Sequence, residues 1–286
     1  MSAALATDAA ASAVAAPRKP ARGLEPARGT RWAIGLTVGI LFAIPLVATL
    51  LYTFRDPLTG GLSAANWVRV FDPGNTQVLT PIWTGLGNSL VLAVVTVAIV
   101  LVVLLPTMIL IELRYPRLGS AFEFVALLPI SIPAIVLVVG LAPIYLQIGR
   151  ALGTGAWTLA FAYGITVLPF AYRSIRASIG AVDLKTLAEA ARSLGASWIE
   201  VIVHVLVPNL RQGLLAASLI SVAVVLGEFT IASLLNRQVL QTALVVANKI
   251  DPYASAIFTL LSLLFVFLLL LAISRAARSR TGRTPS

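Results

Sequence analysis

"EAARSLGASWIEVIVHVLVP", residues 189–208, is an amphipathic stretch with charges at Glu189, Arg192 and Glu200, ending in a proline. It sits in a chain of 286 residues that is 59% hydrophobic and 11% charged, with a mean hydropathy of +0.96. A soluble domain of this length carries roughly a quarter charged residues, so the composition predicts a polytopic membrane protein. There is no Cys and one His, which excludes disulfides, thiolate metal sites and His clusters. A net charge of +10 on such a chain reads as basic loops rather than nucleic-acid binding.

Six runs, about 32–54, 88–111, 122–148, 155–175, 210–235 and 254–273, meet the length of about 20 apolar residues that a membrane helix needs. The third holds Pro129, Pro133 and Pro143, which predicts a kinked helix packed against protein or a cavity. Asn88 marks the expected start of the second helix, and Gly35 and Gly39 have a helix-packing spacing. With the N-terminus inside, the inner segments carry five, two, five and four Lys or Arg, against five on all outer segments. That asymmetry predicts N-terminus and C-terminus in the cytoplasm and puts residues 189–208 in the loop between helices four and five. The expected division is a disordered cytoplasmic tail over 1–30, a transmembrane domain over 31–275 and a basic cytoplasmic tail over 276–286. A signal peptide is the competing reading of the N-terminus, but the run from Trp32 is long enough to span and stay.

Residues 183–205 stay out of the bilayer core. Asp183, Lys185, Glu189, Arg192 and Glu200 cost on the order of 15 kcal/mol together at a helix centre, against about 5 returned by the aliphatics. Two short helices fit instead. The first, from about Asp183 to Leu194, has an apolar stripe of Leu184, Leu187, Ala188, Ala191 and Leu194. Gly195 ends it in the left-handed conformation. The second starts on a capping box of Ser197 and Glu200, and Pro208 redirects the chain into helix five. Trp198 suits the membrane interface.

Glu189-Ala190-Ala191, three residues, Gly195, nine residues, then Val205-Leu206-Val207-Pro208 resembles the EAA motif of ABC importer permeases, with Val205 for Ile and Val207 for Leu. "LLPISIPAIVLVVGL" (127–141) and "LPFAYRSIRASIGAVD" (168–183) extend the likeness over about 80–275. They look like the branch serving polyamine (spermidine/putrescine-like), ferric iron, thiamine and phosphonate importers. The resemblance implies an all-α fold of six transmembrane helices with a cytoplasmic helical coupling loop at about 183–208. It implies that Glu189, Ala190, Ala191, Gly195, Val205, Val207 and Pro208 couple to a cytoplasmic ABC ATPase dimer in a bacterial inner membrane. It also implies a second permease subunit, identical or similar, and an extracytoplasmic solute-binding protein. No catalytic residue, metal or cofactor is expected in this chain.

Other residues keep two readings. Thr186-x-x-Glu189 is itself a possible capping box, so Glu189 either starts a helix or meets a partner. Glu228, inside a spanning run and about 30 Å along a helix from Pro208, either lines the substrate path or is structural. His204 reads as a polar residue at a helix surface, Asn236 and Asn248 as outer-loop residues, and Glu112 and Glu123 as surface partners of Arg114 and Arg117. Lys185-Thr186 lacks the glycines of a P-loop, so ATP must be handled by another chain. A secondary transporter is the alternative function, and it predicts inverted repeats and several intramembrane charges. A membrane enzyme would need clustered His, Cys or carboxylates, and none is evident.

Overall fold

A computed structural model describes residues 28–56 and 59–279. The described chain is helical, and its only extended pairing is an isolated bridge between Arg55 and Leu62. The expected tails, up to residue 27 and beyond residue 279, lie outside the described residues. The chain divides into two units at Ala48. In the first, residues 29–48 belong to helix α1 (Arg28–Thr53) and have exposed side chains, with Pro45 inside the helix.

The second unit continues with α2 (Ala65–Val70), α3 (Thr76–Ile99) and α4 (Leu105–Arg114), the last two joined by a π-helical turn at Val100–Leu104. Then come α5 (Gly119–Leu127), α6 (Ala134–Leu152) and α7 (Ala160–Gly180). The amphipathic stretch forms α8 (Leu184–Ser193), α9 (Trp198–Glu200), a second π-helical turn at Val201–Leu206 and α10 (Val207–Asn209). The chain closes with α11 (Arg211–Gly227), α12 (Thr230–Leu234), α13 (Leu240–Ile250) and α14 (Pro252–Ser279).

Among the described residues, four stretches are long and apolar enough to cross a membrane: Gly29–Thr53, Thr76–Arg114, Ala134–Leu152 and Pro252–Arg275. A fifth is added if Trp198–Asn209 and Arg211–Gly227, bent by 77°, count as one broken span. The all-α polytopic fold is as expected, whereas six clean spans are not what length and apolarity count. The run expected at 155–175 is α7, with Arg173 and Arg176 in its last two turns.

Several boundaries differ from expectation for local reasons. Helix α3 starts at Thr76, twelve residues before Asn88, and passes through Pro81. Asn88 therefore sits mid-helix, where its amide donates to the Gln238 carbonyl at 2.8 Å. The proline-rich run is broken rather than kinked: a 3₁₀ turn at Leu128–Ser131 leads to Ile132 and Pro133 in extended conformation before α6 begins. The run 210–235 breaks at Glu228, which is extended. Asn248 lies on α13, a helix that the apolar runs did not reveal.

Packing centres on α7 and α11. At their crossing, a Cβ on Gly213 would lie 2.5 Å from Ser178 Cβ and 2.7 Å from the Ser174 carbonyl oxygen. A Cβ on Gly85 of α3 would meet the Val239 carbonyl oxygen at 2.8 Å. Small residues let helices approach closely where apolar surroundings give no hydrophobic drive to associate. Gly213→Ala is therefore expected to destabilise by about 1–3 kcal/mol through overpacking. The check is a lowered melting temperature in detergent, with Gly87→Ala, which faces open space, as the unaffected control.

Candidate functional site

The hairpin of α8–α10 builds itself from local hydrogen bonds. Asp183 caps α8, accepting from the Thr186 backbone N–H at 3.1 Å and the Thr186 hydroxyl at 2.7 Å. These bonds, the hydroxyl's first, hold the Asp183 carboxyl below its ordinary range. The cap is thus Asp183 and not Thr186, and Glu189 has no capping role. Gly195 ends α8 at φ +88°. The Gly195 N–H donates to Arg192 O at 3.0 Å and the Ala196 N–H to Ala191 O at 3.2 Å, the paired bonds of a Schellman turn. Ser197 and Glu200 form the expected capping box. The Ser197 backbone N–H, then its hydroxyl, lower the Glu200 carboxyl as well. Arg192 ties the two short helices together: it donates to Ala196 O at 2.6 Å, and its guanidinium lies 5.4 Å from the centre of the Trp198 ring.

The hairpin has two sides. Leu184, Ala188, Val201, Leu206 and Leu210 are buried in one cluster with Met108 and Ile109 of α4 and Ile175 and Ile179 of α7. Ala191, Val205 and Val207 are partly buried against it. Glu189, Ala190, Gly195 and Pro208 are exposed, and the Glu189 carboxylate accepts no hydrogen bond among the described residues. Leu194 leaves the expected apolar stripe and is 89% exposed. It follows the last helical residue, so the Schellman turn points it away and tucks Ala196 against the core instead. Trp198, Ile199 and Val203 add exposed apolar surface, and His204 is exposed.

Proline shapes the entry to α11. The π-helical turn Val201–Leu206 ends two residues before Pro208, as Val100–Leu104 ends two residues before Pro106. A proline in a helix donates no bond and clashes with the carbonyl four residues back, and a widened turn accommodates both. In each case the next residue covers a nearby carbonyl: Thr107 hydroxyl to Val103 O at 2.7 Å, and Asn209 amide to Val205 O at 2.7 Å. The change of direction falls at Leu210 rather than at Pro208 itself. Leu210 is fully buried, and its carbonyl accepts from Ser178 Oγ of α7 at 3.4 Å.

Glu228 lies at the far end of α11, about 25 Å from the hairpin at ~1.5 Å per residue. Its carboxylate accepts from the Ile231 backbone N–H at 2.9 Å and from the buried Tyr163 hydroxyl at 2.8 Å. It therefore caps the start of α12 and pins the helix break to α7. Glu112 pairs with Arg176 of α7 rather than with Arg114 or Arg117. No cluster of three His, Cys, Asp or Glu suited to a metal exists among the described residues. Sequence reasoning singled out neither Leu206 nor Leu210 as a burial anchor, nor Arg192 as a clamp. Leu206, the variable position inside the motif's last element, is one of its deepest residues.

The fold and this hairpin define a class: an all-helical membrane protein that presents a rigid, half-exposed helical knuckle packed onto its spanning helices. The chain belongs to the family of binding-protein-dependent transport system inner membrane components, which matches residues 109–281. It is also similar to the protein named "Probable ABC transporter permease protein y4fN" of Sinorhizobium fredii (strain NBRC 101917 / NGR234), 26% identical over 269 residues. That match covers 88% of this chain and 46% of the relative, so the chain spans about half the length of the curated relative. The resemblance to ABC importer permeases is thereby borne out, without a choice of branch.

Two outcomes follow from this geometry. Because the Asp183 and Glu200 carboxyls are lowered by folding, their contribution is complete above the ordinary carboxylate range and is lost as pH falls through their folded values. Hydrogen exchange over 184–200, corrected for intrinsic rates, should show protection fading in that acid window, and Asp183→Ala should lower the protection of α8 already at neutral pH and flatten its acid dependence. Glu228→Ala should destabilise by about 1–3 kcal/mol by orphaning the Tyr163 hydroxyl and the Ile231 N–H. Glu228→Gln, which keeps an acceptor, should melt close to the parent.

Proposed function

We propose that this chain is the transmembrane permease subunit of an ATP-driven importer for a small polar or charged solute. Its coupling residues are Glu189, Ala190, Ala191, Gly195, Val205, Val207 and Pro208. One observation carries the reading. The hairpin is buried on the side facing the spanning helices and exposed on the side that holds Glu189, Ala190, Gly195 and Leu194. A partner pressing on the exposed side moves α8, and through Leu184, Ala188 and Leu206 moves α4, α7 and α11.

The partners in this reading are a cytoplasmic ABC ATPase dimer, a second permease copy or paralogue, and a solute-binding protein outside, with both termini in the cytoplasm. ATP hydrolysis belongs to the ATPase, and this chain catalyses nothing. The solute is of the polyamine, ferric iron, thiamine or phosphonate type that the motif's branch suggests. An ion-coupled secondary transporter is less well supported. The one acid expected within a spanning run, Glu228, accepts from Tyr163 and Ile231, and a single such acid is fewer than ion coupling predicts.

Single cysteines at residues 190 and 194 should crosslink to a co-expressed ATPase subunit, while a cysteine at buried Leu206 should not. Gly195→Val should reduce ATP-driven uptake in vesicles at least tenfold with insertion unchanged, because a β-branched residue resists φ +88°. Normal uptake by that variant, or no crosslink in an actively importing assembly, would count decisively against the coupling role.

A further inference from the structure

At the far end of α11 from the hairpin lies a cleft of about 530 Å³. Its lining includes Phe229, Ser233, Asn236, Arg237, Thr242 and Lys249, and no Asp or Glu. Two cations therefore share one concavity without a counter-charge in its wall. Neither forms an ion pair among the described residues. Arg237 is half-buried, and its Nε is fully buried with no hydrogen-bond partner. The acids close in sequence are committed elsewhere: Glu228 to Tyr163 and Ile231, and Asp251 to Arg69 at 2.9 Å.

Arg237 is held in place by its backbone. Asn236 adopts φ +51°, the one non-glycine residue with positive φ among those described, and ends α12 in a Schellman turn. The Arg237 N–H donates to Ala232 O at 2.8 Å, and its carbonyl accepts from the Thr242 hydroxyl at 3.1 Å. Asparagine tolerates this left-handed position because its short polar side chain limits the steric cost. The result is an arginine whose backbone is fixed at the cleft and whose Nε is a desolvated donor that nothing among the described residues satisfies. Such a donor is costly unless an acceptor arrives, and the planar fork of Arg matches an oxyanion. The two cations also stand on the side that the Lys and Arg count assigns outward, where cations are scarce and their presence opposes the orientation bias.

We infer that this cleft binds a small oxyanion of the phosphate class, with Arg237 as the oriented donor and Lys249 as the second charge. The volume falls within the range of small-ligand sites and exceeds one phosphate, leaving space for an organic portion against Phe229. A solute and a phospholipid headgroup share this chemistry. Identifying the site as an outward solute site rests on the permease reading, whereas oxyanion binding does not.

The test uses the full chain in nanodiscs of zwitterionic lipid, titrated with inorganic phosphate and glycerol phosphate at constant ionic strength by calorimetry, with putrescine as the cation control. Saturable phosphate binding is expected, weakened at least about tenfold in Arg237→Gln and in Lys249→Gln, with no putrescine binding at this cleft. Lys249 is exposed on α13, so its variant remains informative if Arg237→Gln folds poorly. Native mass spectrometry with an anionic phospholipid forms the second arm: retained lipid that is lost in Arg237→Gln identifies a headgroup as occupant. Absence of both phosphate binding and Arg237-dependent lipid retention overturns the site, as does binding unchanged in both variants. ATPase capture is scored on the same preparations. Its failure with phosphate binding intact would count against the permease reading and leave the oxyanion site standing.

Discussion

A helix broken in an apolar medium must find new partners for its own backbone, because neither lipid tails nor apolar side chains supply hydrogen bonds. Most of what distinguishes this molecule meets that requirement at a break. Beside Pro106 and Pro208 the helix widens by a π turn, and the next side chain, Thr107 or Asn209, covers a nearby carbonyl. At Leu210 the carbonyl gains Ser178 Oγ from the neighbouring helix. At Glu228 the carboxylate takes the Ile231 N–H in the first turn of α12 and a buried tyrosine hydroxyl. Each break is therefore a fixed joint rather than a loose one.

In the proposed reading, these fixed joints let the hairpin act as a lever. The bend of 77° turns α10 into α11 at a fully buried leucine, so a displacement of the hairpin has a rigid path into the spanning helices. The hairpin itself is closed by a Schellman turn, an aspartate cap and a capping box, with Arg192 lying across both short helices. Its stiffness comes from short-range bonds, and its grip on the bundle comes from buried leucine, valine and alanine. These two contributions are separable, since one lies in the hairpin's own turns and caps and the other in its buried face. The far end of α11 has the same construction, in which an asparagine-terminated turn presents Arg237 at a cleft.

Local rules read well where the chain interacts with itself over a few residues. The capping box at Ser197 and Glu200, the left-handed Gly195 and the limits of α8 were legible because each depends on side chains three to five positions apart. The motif spacing was legible for the same reason. Periodicity places Leu194 in the apolar stripe, since it cannot see where a Schellman turn releases the chain. Hydropathy puts the helix start at Asn88 because it registers apolarity and not the more polar first turns of α3, which pack through Gly85 against Val239. Glu112 took Arg176 over its sequence neighbours because α7 brings that guanidinium to it.

The sequence by itself determined an all-helical membrane chain, the place and chemistry of its amphipathic knuckle, and the family to which that knuckle belongs. These follow from composition and from contacts local in sequence. Tertiary structure alone decided which helices the knuckle's apolar stripe packs against, that the fifth apolar run breaks at Glu228, and that Arg237 and Lys249 meet in one cleft. Those outcomes rest on pairings between residues tens to more than a hundred positions apart. Such pairings are set by how helices pack and how orphaned backbone groups are satisfied, and no periodicity in the chain records them.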